Sequence, residues 1–313
     1  MAALPIIMDC DPGQDDALAL LLALASPDEL DVRGITTLSG NVPLSLTQRN
    51  ARIICELAGR PDMKVFAGCD RPMVNDLITA EVVHGGTGIN GIDVYEPAMP
   101  LQEQHGVDFI IETCMAAGAH EITLVPTGPL TNIAMALVKE PRIVEKIDRI
   151  VLMGGAMREG GNFSASAEFN ILVDPHAAHV VFKCGRPIVA MSLDVTHQVL
   201  TNAERLARIK ALGTPVATAA HDMLAFFERF DVAKYGSVGA PLHDPCTIAY
   251  LLKPDLFETK LCNVEVDIHS PLTQGHTAVD FWHITDRPKN CHWATHVDVE
   301  GFYDLLIERL GRY

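Results

Sequence analysis

The stretch Asp9-Cys10-Asp11-Pro12-Gly13-Gln14-Asp15-Asp16 lies between two apolar segments, residues 4–8 before it and residues 17–24 after it. The first segment has the length of a buried strand and the second reads as a buried helix, with Pro12-Gly13 as the turn between them. A strand that leads into a buried helix is typical of an open α/β sheet, where ligands bind outside the carboxyl ends of the strands. The aspartates therefore stand where such a fold places its site.

Asp9, Asp11, Asp15 and Asp16 bring four carboxylates together. Two like charges ~4 Å apart repel by about 4 kcal/mol at the effective dielectric of a protein surface, so a shared proton, solvent or a cation must relieve them. Oxygen donors with no thiolate pair nearby favour Mg²⁺ or Ca²⁺. An acidic helix cap would explain Asp15 and Asp16 but not the two aspartates on an apolar strand, so we favour a metal or substrate site.

The composition limits the class of protein. The chain has 313 residues, a hydrophobic fraction of 48% and a formal net charge of −16. The negative charge argues against nucleic-acid and anionic-membrane partners, because phosphate groups bind to basic surfaces. The first apolar segment is too short for a transmembrane helix, and a signal peptide is not expected. The eight cysteines are scattered without a CxxC pair, which favours reduced thiols and a cytoplasmic location and makes zinc improbable.

Strand and helix patterns alternate along most of the chain. Beyond the first unit, the predicted strands are 30–37, 64–67, 121–126, 147–153 and 187–192, and the predicted helices are 43–58, 108–117, 130–138 and 175–184. The stretch 202–230 reads as helical, 246–252 as a helix, 261–298 as mostly strand-like, and 302–310 as a final helix. This order predicts one α/β domain over residues 1–313, with a mostly parallel central sheet flanked by helices.

Polar residues follow several of these strands. They include Asn41, the turn Thr127-Gly128-Pro129-Leu130-Thr131-Asn132, the loop with Asn162 and Glu168-Phe169-Asn170, and His243-Asp244 before a late helix. Because the carboxyl ends of parallel strands meet at one edge, these residues can share a site.

A series of sequence blocks, in this order along almost the whole chain, resembles the inosine–uridine-preferring nucleoside hydrolases, including the bacterial pyrimidine ribonucleoside hydrolases. The blocks are DCDPGQDD at 9–16, GN at 40–41, HGGTG at 84–88, PTGPLTN at 126–132, MGGA at 153–156, AEFN at 167–170 and HDP at 243–245. An Asp-x-Asp pair alone also occurs in phosphatases and glycosyltransferases, so the resemblance depends on the whole ordered series.

The resemblance implies one bound Ca²⁺ and hydrolysis of the N-glycosidic bond of a ribonucleoside. The residues implied as metal ligands are Asp11, Asp16, Asp244 and the carbonyl of Thr127. Asp15, which points away from Asp16 on a helix, is expected to bind the ribose 2′-hydroxyl. Seven or eight oxygen ligands suit Ca²⁺ better than Mg²⁺.

The same resemblance assigns the catalytic and ribose-binding residues. Asp11 is expected to act as the general base on the attacking water. The residues expected to hold the ribose and stabilise its positive charge in the transition state are Asn41, Asn162, Glu168 and Asn170. Phe169 and Met153 are expected to line the substrate pocket, and Asp9 to orient other groups.

The base side of the pocket is expected to contain His84 and His243, as candidates for assisting the leaving base. Asp231 and Tyr235 correspond to positions on the helix that lines this side. An ionised Asp231 cannot donate a hydrogen bond, and Tyr235 resembles a tyrosine of pyrimidine-preferring members, so uridine and cytidine are the expected substrates. Phe227 is equally compatible with a core position and with stacking on the base.

Three alternatives remain at this point. The enzyme could prefer purines or lack a base preference. A haloacid-type phosphatase also has an Asp-x-Asp after its first strand, but it has Thr or Val where this chain has Gly13. A nucleoside-binding protein without turnover would keep the pocket and lose the chemistry. The family resemblance also implies a homodimer or homotetramer with no nucleic-acid or membrane partner.

Overall fold

The strand that precedes the aspartates lies inside the central sheet of the computed structural model. The structure describes residues 2–235 and 239–313, with side chains for residues 2–229 and 239–313. The described residues form the strands β1 (Leu4–Cys10), β2 (Leu30–Thr37), β3 (Val65–Ala67), β4 (Ile122–Pro126), β5 (Ile147–Met153), β6 (Ile188–Met191), β7 (Leu200–Thr201), β8 (Ala240–Pro241), β9 (Phe257–Cys262), β10 (Val264–Val266), β11 (Thr277–Val279) and β12 (Cys291–Val297). They form the helices α1 (Gln14–Leu24), α2 (Leu44–Leu57), α3 (Glu81–His84), α4 (Gly106–Ala116), α5 (Thr131–Lys139), α6 (Phe169–Val173), α7 (Pro175–Phe182), α8 (Leu193–Thr196), α9 (Ala203–Lys210), α10 (Pro215–Tyr235), α11 (Pro245–Leu252) and α12 (Val299–Leu310).

Eight strands form the central sheet in the order β3-β2-β1-β4-β5-β6-β12-β9. Neighbouring strands run parallel, except that the edge strand β9 is antiparallel to β12. The prediction of a single α/β domain with a mostly parallel sheet is confirmed. The chain proceeds from β1 to one edge through β2 and β3, and then returns to β4 on the other side of β1. Strand order therefore reverses between β1 and β4, which opens a crevice at their carboxyl ends.

Side chains of β1 alternate between two cores, one on each face of the sheet. Ile6, Met8 and Cys10 join a core with α1, α2, α11 and α12, whereas Ile7 joins a core with α4, α5 and α7. Cys10 thus faces away from Asp9, as strand alternation predicted. Layers of helices on both faces explain why most residues of β1, β4, β5 and β6 are buried.

Helix α1 is buried along its whole length, from Gln14 to Leu24. It begins earlier than the predicted start at residue 17, because the carboxylate of Asp16 accepts a hydrogen bond of 3.0 Å from the backbone N–H of Gly13 and caps the helix. Asp15 and Asp16 are consequently placed in its first turn. Of the helices in the described ranges, none is long and apolar enough to cross a membrane.

Two long stretches are organised differently from the prediction, and the short helices α3, α6 and α8 and the short strands β7 and β8 were not predicted. The predicted helical stretch 202–230 is divided into α9 and α10, because Gly213 has a positive φ of 71° and Pro215 begins the second helix. The strand-like region 261–298 has its strands at β9 to β12, with turns between them. Both differences arise at residues that interrupt regular structure.

The burial of α1 generates a stability prediction. Leu20 is 0% exposed, so Leu20→Ala removes buried methyl groups and leaves a cavity that neighbours fill only partly. We expect the free energy of unfolding to fall by about 2–5 kcal/mol, measured by urea denaturation followed by circular dichroism. Leu272→Ala, at a side chain that is 83% exposed, is the matched control and should change it by less than about 0.5 kcal/mol. Equal losses in the two variants would contradict the assignment of Leu20 to the core.

Candidate active site

A cleft of about 700 Å³ opens at the carboxyl ends of the central strands. The predicted site residues that line it are Asp15, Asn41, His84, Thr127, Met153, Asn162, Glu168, Phe169, Asn170, His243 and Asp244. Asp11 and Asp16 are 0% exposed, and their hydrogen bonds join them to the cleft residues Asn41 and Thr127. The side chains of Asp231 and Tyr235 lie outside the described residues, so their predicted role is not tested.

Asp11, which follows β1, is confined between two glycines. A Cβ atom at Gly40 would lie 2.0 Å from Oδ2 of Asp11, and one at Gly128 would lie 2.4 Å from Oδ1. Oδ2 accepts a hydrogen bond of 2.6 Å from the backbone N–H of Asn41. Oδ1 is buried and has no hydrogen-bond partner in the described part of the chain. The carboxylate is thus held in one place with one oxygen free.

Asp16 is held by donors from three loops. Its Oδ1 accepts 2.7 Å from the hydroxyl of Thr127, and its Oδ2 accepts from the backbone N–H of Gly13 and 3.2 Å from the side-chain amide of Asn41. These donors follow β4, β1 and β2. The Asp16 carboxylate therefore connects the loops after β1 and β2 with the loop after β4, across the point where strand order reverses.

Asp15, Asp16 and Asp244 form a cluster in which one carboxylate oxygen from each lies within 4.8 Å of the others. Asp244 immediately precedes α11, which packs against α1, and this contact brings a residue from late in the chain to the acids after β1. The cluster differs from the predicted ligand set, which contained Asp11 in place of Asp15. Asp16 and Asp244 belong to both.

The electrostatics of these acids are unfavourable without a cation. Burial, with a contribution from Asp16, raises the pKa of Asp15 to about 7 and that of Asp11 well above its ordinary value. Burial and then the charges of Asp15 and Asp16 raise the pKa of Asp244 well above its ordinary value. No salt bridge formed by residues 2–229 or 239–313 involves these carboxylates. The clustered oxygens and the orphaned Oδ1 of Asp11 fit a divalent cation of the oxygen-preferring kind.

Asp9 has a different environment from the other acids. Its Oδ1 accepts 2.8 Å from the side-chain amide of Asn132 and 2.5 Å from the hydroxyl of Thr36. Burial outweighs these hydrogen bonds and raises the pKa of Asp9 to about 7. Asn132 also donates to the carbonyl of Thr37 and accepts from the backbone N–H of Cys69. Asp9 thus fixes loop ends around the site, in line with the orienting role predicted for it.

Glu168 forms the N-cap of α6 and is saturated by backbone donors. Its oxygens accept from the N–H groups of Gly155, Asn170 and Ile171 at 2.9–3.2 Å. Burial still raises the pKa of Glu168 to about 7. Gly155 has a φ of 86°, which a side chain would strain, and so turns its N–H toward the carboxylate.

Hydrogen bonds also fix the side chains of Asn162 and Asn170, which line the cleft near Glu168. The amide nitrogen of Asn170 donates 2.7 Å to the carbonyl of Thr127 and 3.2 Å to that of Met153. The oxygen of Asn170 is therefore its remaining polar atom, and the Thr127 carbonyl keeps a second lone pair for a ligand. The oxygen of Asn162 accepts 3.0 Å from the backbone N–H of Phe169.

The two predicted histidines also line the cleft. His84 stacks on Phe227 with ring centroids 5.4 Å apart, and Phe227 is buried and lines the cleft, while its stacking on the base stays a prediction. Nδ1 of His243 is 2.8 Å from the hydroxyl of Thr196. Burial lowers the pKa of each histidine to about 3. Both rings are therefore neutral at neutral pH.

Several contributors were not predicted from the sequence. Gly40 and Gly128 belong to the sequence motifs, but the motifs do not reveal that each glycine leaves space for the Asp11 carboxylate. Thr196 and Gln14 each meet a histidine through a hydrogen bond. Close approach and long-range hydrogen bonds leave no local pattern, so nothing in the sequence identifies these four.

Comparison with known proteins gives a consistent result. The family model described as inosine-uridine preferring nucleoside hydrolase matches residues 6–304. The pyrimidine-specific ribonucleoside hydrolase RihA of Escherichia coli O7:K1 is 47% identical over 312 residues, covering 99% of each chain. The structure of a purine-preferring ribonucleoside hydrolase from Gardnerella vaginalis matches with a TM-score of 0.91 and 35% identity over 98% of each chain. A plant nucleoside hydrolase matches with a TM-score of 0.91 and 31% identity, also over 98% of each chain.

The buried acids generate a prediction on stability and pH. Asp9, Asp15 and Glu168 have a folded pKa of about 7, above the value of about 4 expected when unfolded, so the folded state retains protons that the unfolded state loses. The Tm of metal-free protein should therefore fall as pH rises from about 5 to about 8. Adding CaCl₂ or MgCl₂ at the higher pH should raise it, because the ion binds the folded state. Differential scanning fluorimetry measures both effects.

Asp244→Asn provides the control for this experiment, since it removes one carboxylate of the cluster and should reduce the rise in Tm on adding the cation. An equal rise in the variant and the wild type would place the binding site elsewhere. A Tm that increases with pH in metal-free protein would contradict the raised pKa values.

Proposed function

The chain belongs to the inosine–uridine preferring nucleoside hydrolases, and on that premise we propose that it uses one Ca²⁺ to hydrolyse the N-glycosidic bond of pyrimidine ribonucleosides such as uridine and cytidine. The products are ribose and the free base. The observation that carries the proposal is a set of buried carboxylates, without salt-bridge partners among the described residues, beside a cleft lined by acids and amides.

The proposed ligands of the ion are Asp11, Asp16, Asp244 and the carbonyl of Thr127. Support comes from the cluster that contains Asp16 and Asp244, and from the unpartnered Oδ1 of Asp11. Asp15, at the surface of the cleft, is left for the ribose 2′-hydroxyl. A bound Ca²⁺ supplies a fixed, polarised water and an anchor for the ribose diol, and its coordination number suits this many oxygens.

Asp11 is the proposed general base. Its carboxylate is held beside the proposed ion by the backbone N–H of Asn41, and a carboxylate next to a polarised water can accept a proton from it. It takes a proton from the attacking water while the oxygen of that water bonds to C1′ of the ribose. The bond between C1′ and the base nitrogen breaks, and its electron pair leaves with the base.

The walls of the cleft are proposed to stabilise the positive charge that develops on the ribose. Asp15 and Glu168 contribute carboxylates, and Asn41, Asn162 and Asn170 contribute amide dipoles. Their side chains are already fixed by hydrogen bonds to backbone or to one another, so little reorganisation is needed during the reaction. Such preorganised groups favour an oxocarbenium-like transition state over the neutral substrate.

His243 is proposed to assist the departing base. Its low pKa keeps the ring neutral, so we assign it a hydrogen bond to the base rather than delivery of a proton from an imidazolium. The hydroxyl of Thr196 fixes the orientation of the ring through Nδ1. His84 and Phe227, which stack on each other, are also assigned to the base side of the cleft.

The preference for pyrimidines is supported by the names of the relatives that are 46–47% identical, the RihA proteins of Salmonella and Escherichia. A purine preference is the second candidate, because the matched structure from Gardnerella vaginalis, which is 35% identical, is that of a purine-preferring ribonucleoside hydrolase. A cytoplasmic homodimer or homotetramer remains a prediction for this chain, as does the extent of the domain over residues 1–313.

Removal of the proposed general base should slow the hydrolysis. Asp11→Ala should lower kcat by at least ~10², the usual size of general-base catalysis, and should weaken ribose binding measured by calorimetry, because it also removes a proposed ligand of the ion that anchors the ribose. Release of reducing sugar from uridine gives the rate. Asp62→Ala, at an exposed aspartate paired with Arg60, should leave both quantities unchanged. Turnover by Asp11→Ala at the wild-type rate would refute the assigned role.

Base preference is tested by kcat/KM for uridine, cytidine, inosine and adenosine, assayed with the Ca²⁺-loaded protein. We expect uridine or cytidine to exceed inosine by at least about tenfold, which corresponds to about 1.4 kcal/mol of transition-state binding. A higher value for inosine would favour the purine-preferring alternative. Release of phosphate from nucleotides with the nucleoside intact would instead indicate phosphatase chemistry.

A further inference from the structure

Gln14 is fully buried at the first position of α1. The hydrogen bonds of its side chain go to residues outside that helix. Its Nε2 atom donates hydrogen bonds to the backbone carbonyls of His84, at 2.9 Å, and of Asn90, at 3.0 Å. Carbonyl oxygens only accept hydrogen bonds, so these two contacts decide which end of the amide is nitrogen. The orientation of the Gln14 side chain is therefore determined by the backbone.

The other end of the amide, Oε1, then faces the ring of His84. It lies 2.7 Å from Nδ1. Because an amide oxygen can only accept, the hydrogen of this bond must be carried by Nδ1. Burial lowers the pKa of His84 to about 3, so the neutral ring has a single N–H and its Nε2 bears a lone pair.

The ring itself is fixed from two sides. Phe227 stacks on one face, and a Cβ atom at Gly13 would lie 2.4 Å from Nδ1, so the absence of a side chain there makes room for the ring. His84 lines the cleft, and its Nε2 has no hydrogen-bond partner among the described residues. An acceptor in a fixed position is thus available at the base side of the cleft.

We propose that Gln14 is a positioning residue that holds His84 in the Nδ1–H tautomer, so that Nε2 accepts a hydrogen bond from an N–H group of the substrate base. This inference rests on the proposed function and adds one contact to it, in which Nε2 accepts from the ring N–H of uracil or from the amino group of cytosine. Gln14 acts through His84 and does not touch the substrate.

Two variants separate this role from a merely structural one. Gln14→Met and Gln14→Glu both lose the donations to the carbonyls of His84 and Asn90, so any disturbance of that loop is shared by the pair. Only Gln14→Met also loses the strong acceptor for Nδ1–H. The matched difference between them therefore reports the contact with the ring. Circular dichroism and Tm establish that each variant folds.

The tautomer is measured directly by long-range ¹H–¹⁵N correlation spectra of the Ca²⁺-loaded protein with ¹⁵N-labelled histidine, using His84→Asn to assign the signals. We expect Nδ1 to be protonated and Nε2 unprotonated in the wild type. Nδ1 should stay protonated in Gln14→Glu and lose its proton in at least part of the Gln14→Met molecules. Protonation of Nε2 in the wild type, or an unchanged tautomer in Gln14→Met, would overturn the proposal.

The effect on recognition is measured with two substrates. Uridine has an N–H donor on its base, whereas 4-nitrophenyl β-D-ribofuranoside has the same sugar and a leaving group without one. The ratio of kcat/KM for uridine to that for the nitrophenyl riboside should fall about tenfold in Gln14→Met, the size of one lost hydrogen bond. An unchanged ratio would show that Gln14 acts only on structure and would overturn the recognition step.

Failure of the proposed function gives a different pattern. If the wild type cleaves no ribonucleoside, the proposed function and the recognition step both fall. The spectra still decide whether Gln14 sets the tautomer of His84, because they do not depend on turnover.

Discussion

The burial of several carboxylates without a salt-bridge partner in the described chain is the constraint on which the rest of this molecule depends. Removing ionised carboxylates from water is expensive unless hydrogen bonds, protons or a cation compensate. The chain supplies neutral donors for part of this compensation: backbone N–H groups of Gly13 and Asn41, and the hydroxyl of Thr127. The remaining repulsion is the physical reason for proposing a divalent ion at this site.

The topology of the sheet makes this concentration of charge geometrically possible. Because strand order reverses between β1 and β4, the loops after these strands diverge and leave a crevice instead of packing against each other. Donors from one loop can then reach acceptors of the other, as Thr127 does with Asp16. The two apolar cores on the faces of the sheet hold the strands rigid beneath the site. The polar site is thus supported by two apolar cores.

Much of this arrangement follows from local sequence patterns. Strands 30–37 and 147–153 were predicted with the bounds that the structure has, because each is rich in apolar and β-branched residues and is followed by a turn. The order of the motifs also predicted that the site residues meet at one edge of the sheet, and those with described side chains line the cleft or bond to residues that do. The break between α9 and α10 was missed because hydrophobic periodicity continues on both sides of Gly213.

Features that depend on contacts far apart in the sequence could not be predicted in the same way. The presence of Asp15 rather than Asp11 in the geometric cluster depends on how the first turn of α1 is rotated against Asp244. The hydrogen bond of Gln14 to His84 joins the first helix to α3. Both features are properties of tertiary packing. The residues next to Asp15 and Gln14 in the sequence give no sign of them.

The position of Asp244 has a consequence for how the protein is made. The acids after β1 emerge early during synthesis, whereas Asp244 arrives only when α11 docks on α1, after most of the central sheet has been translated. Contacts of such long sequence separation form late, because closing the intervening chain is entropically unfavourable. The cluster is therefore incomplete while the nascent chain is being made, and the proposed ion can gain its full set of protein ligands only after α11 has docked on α1.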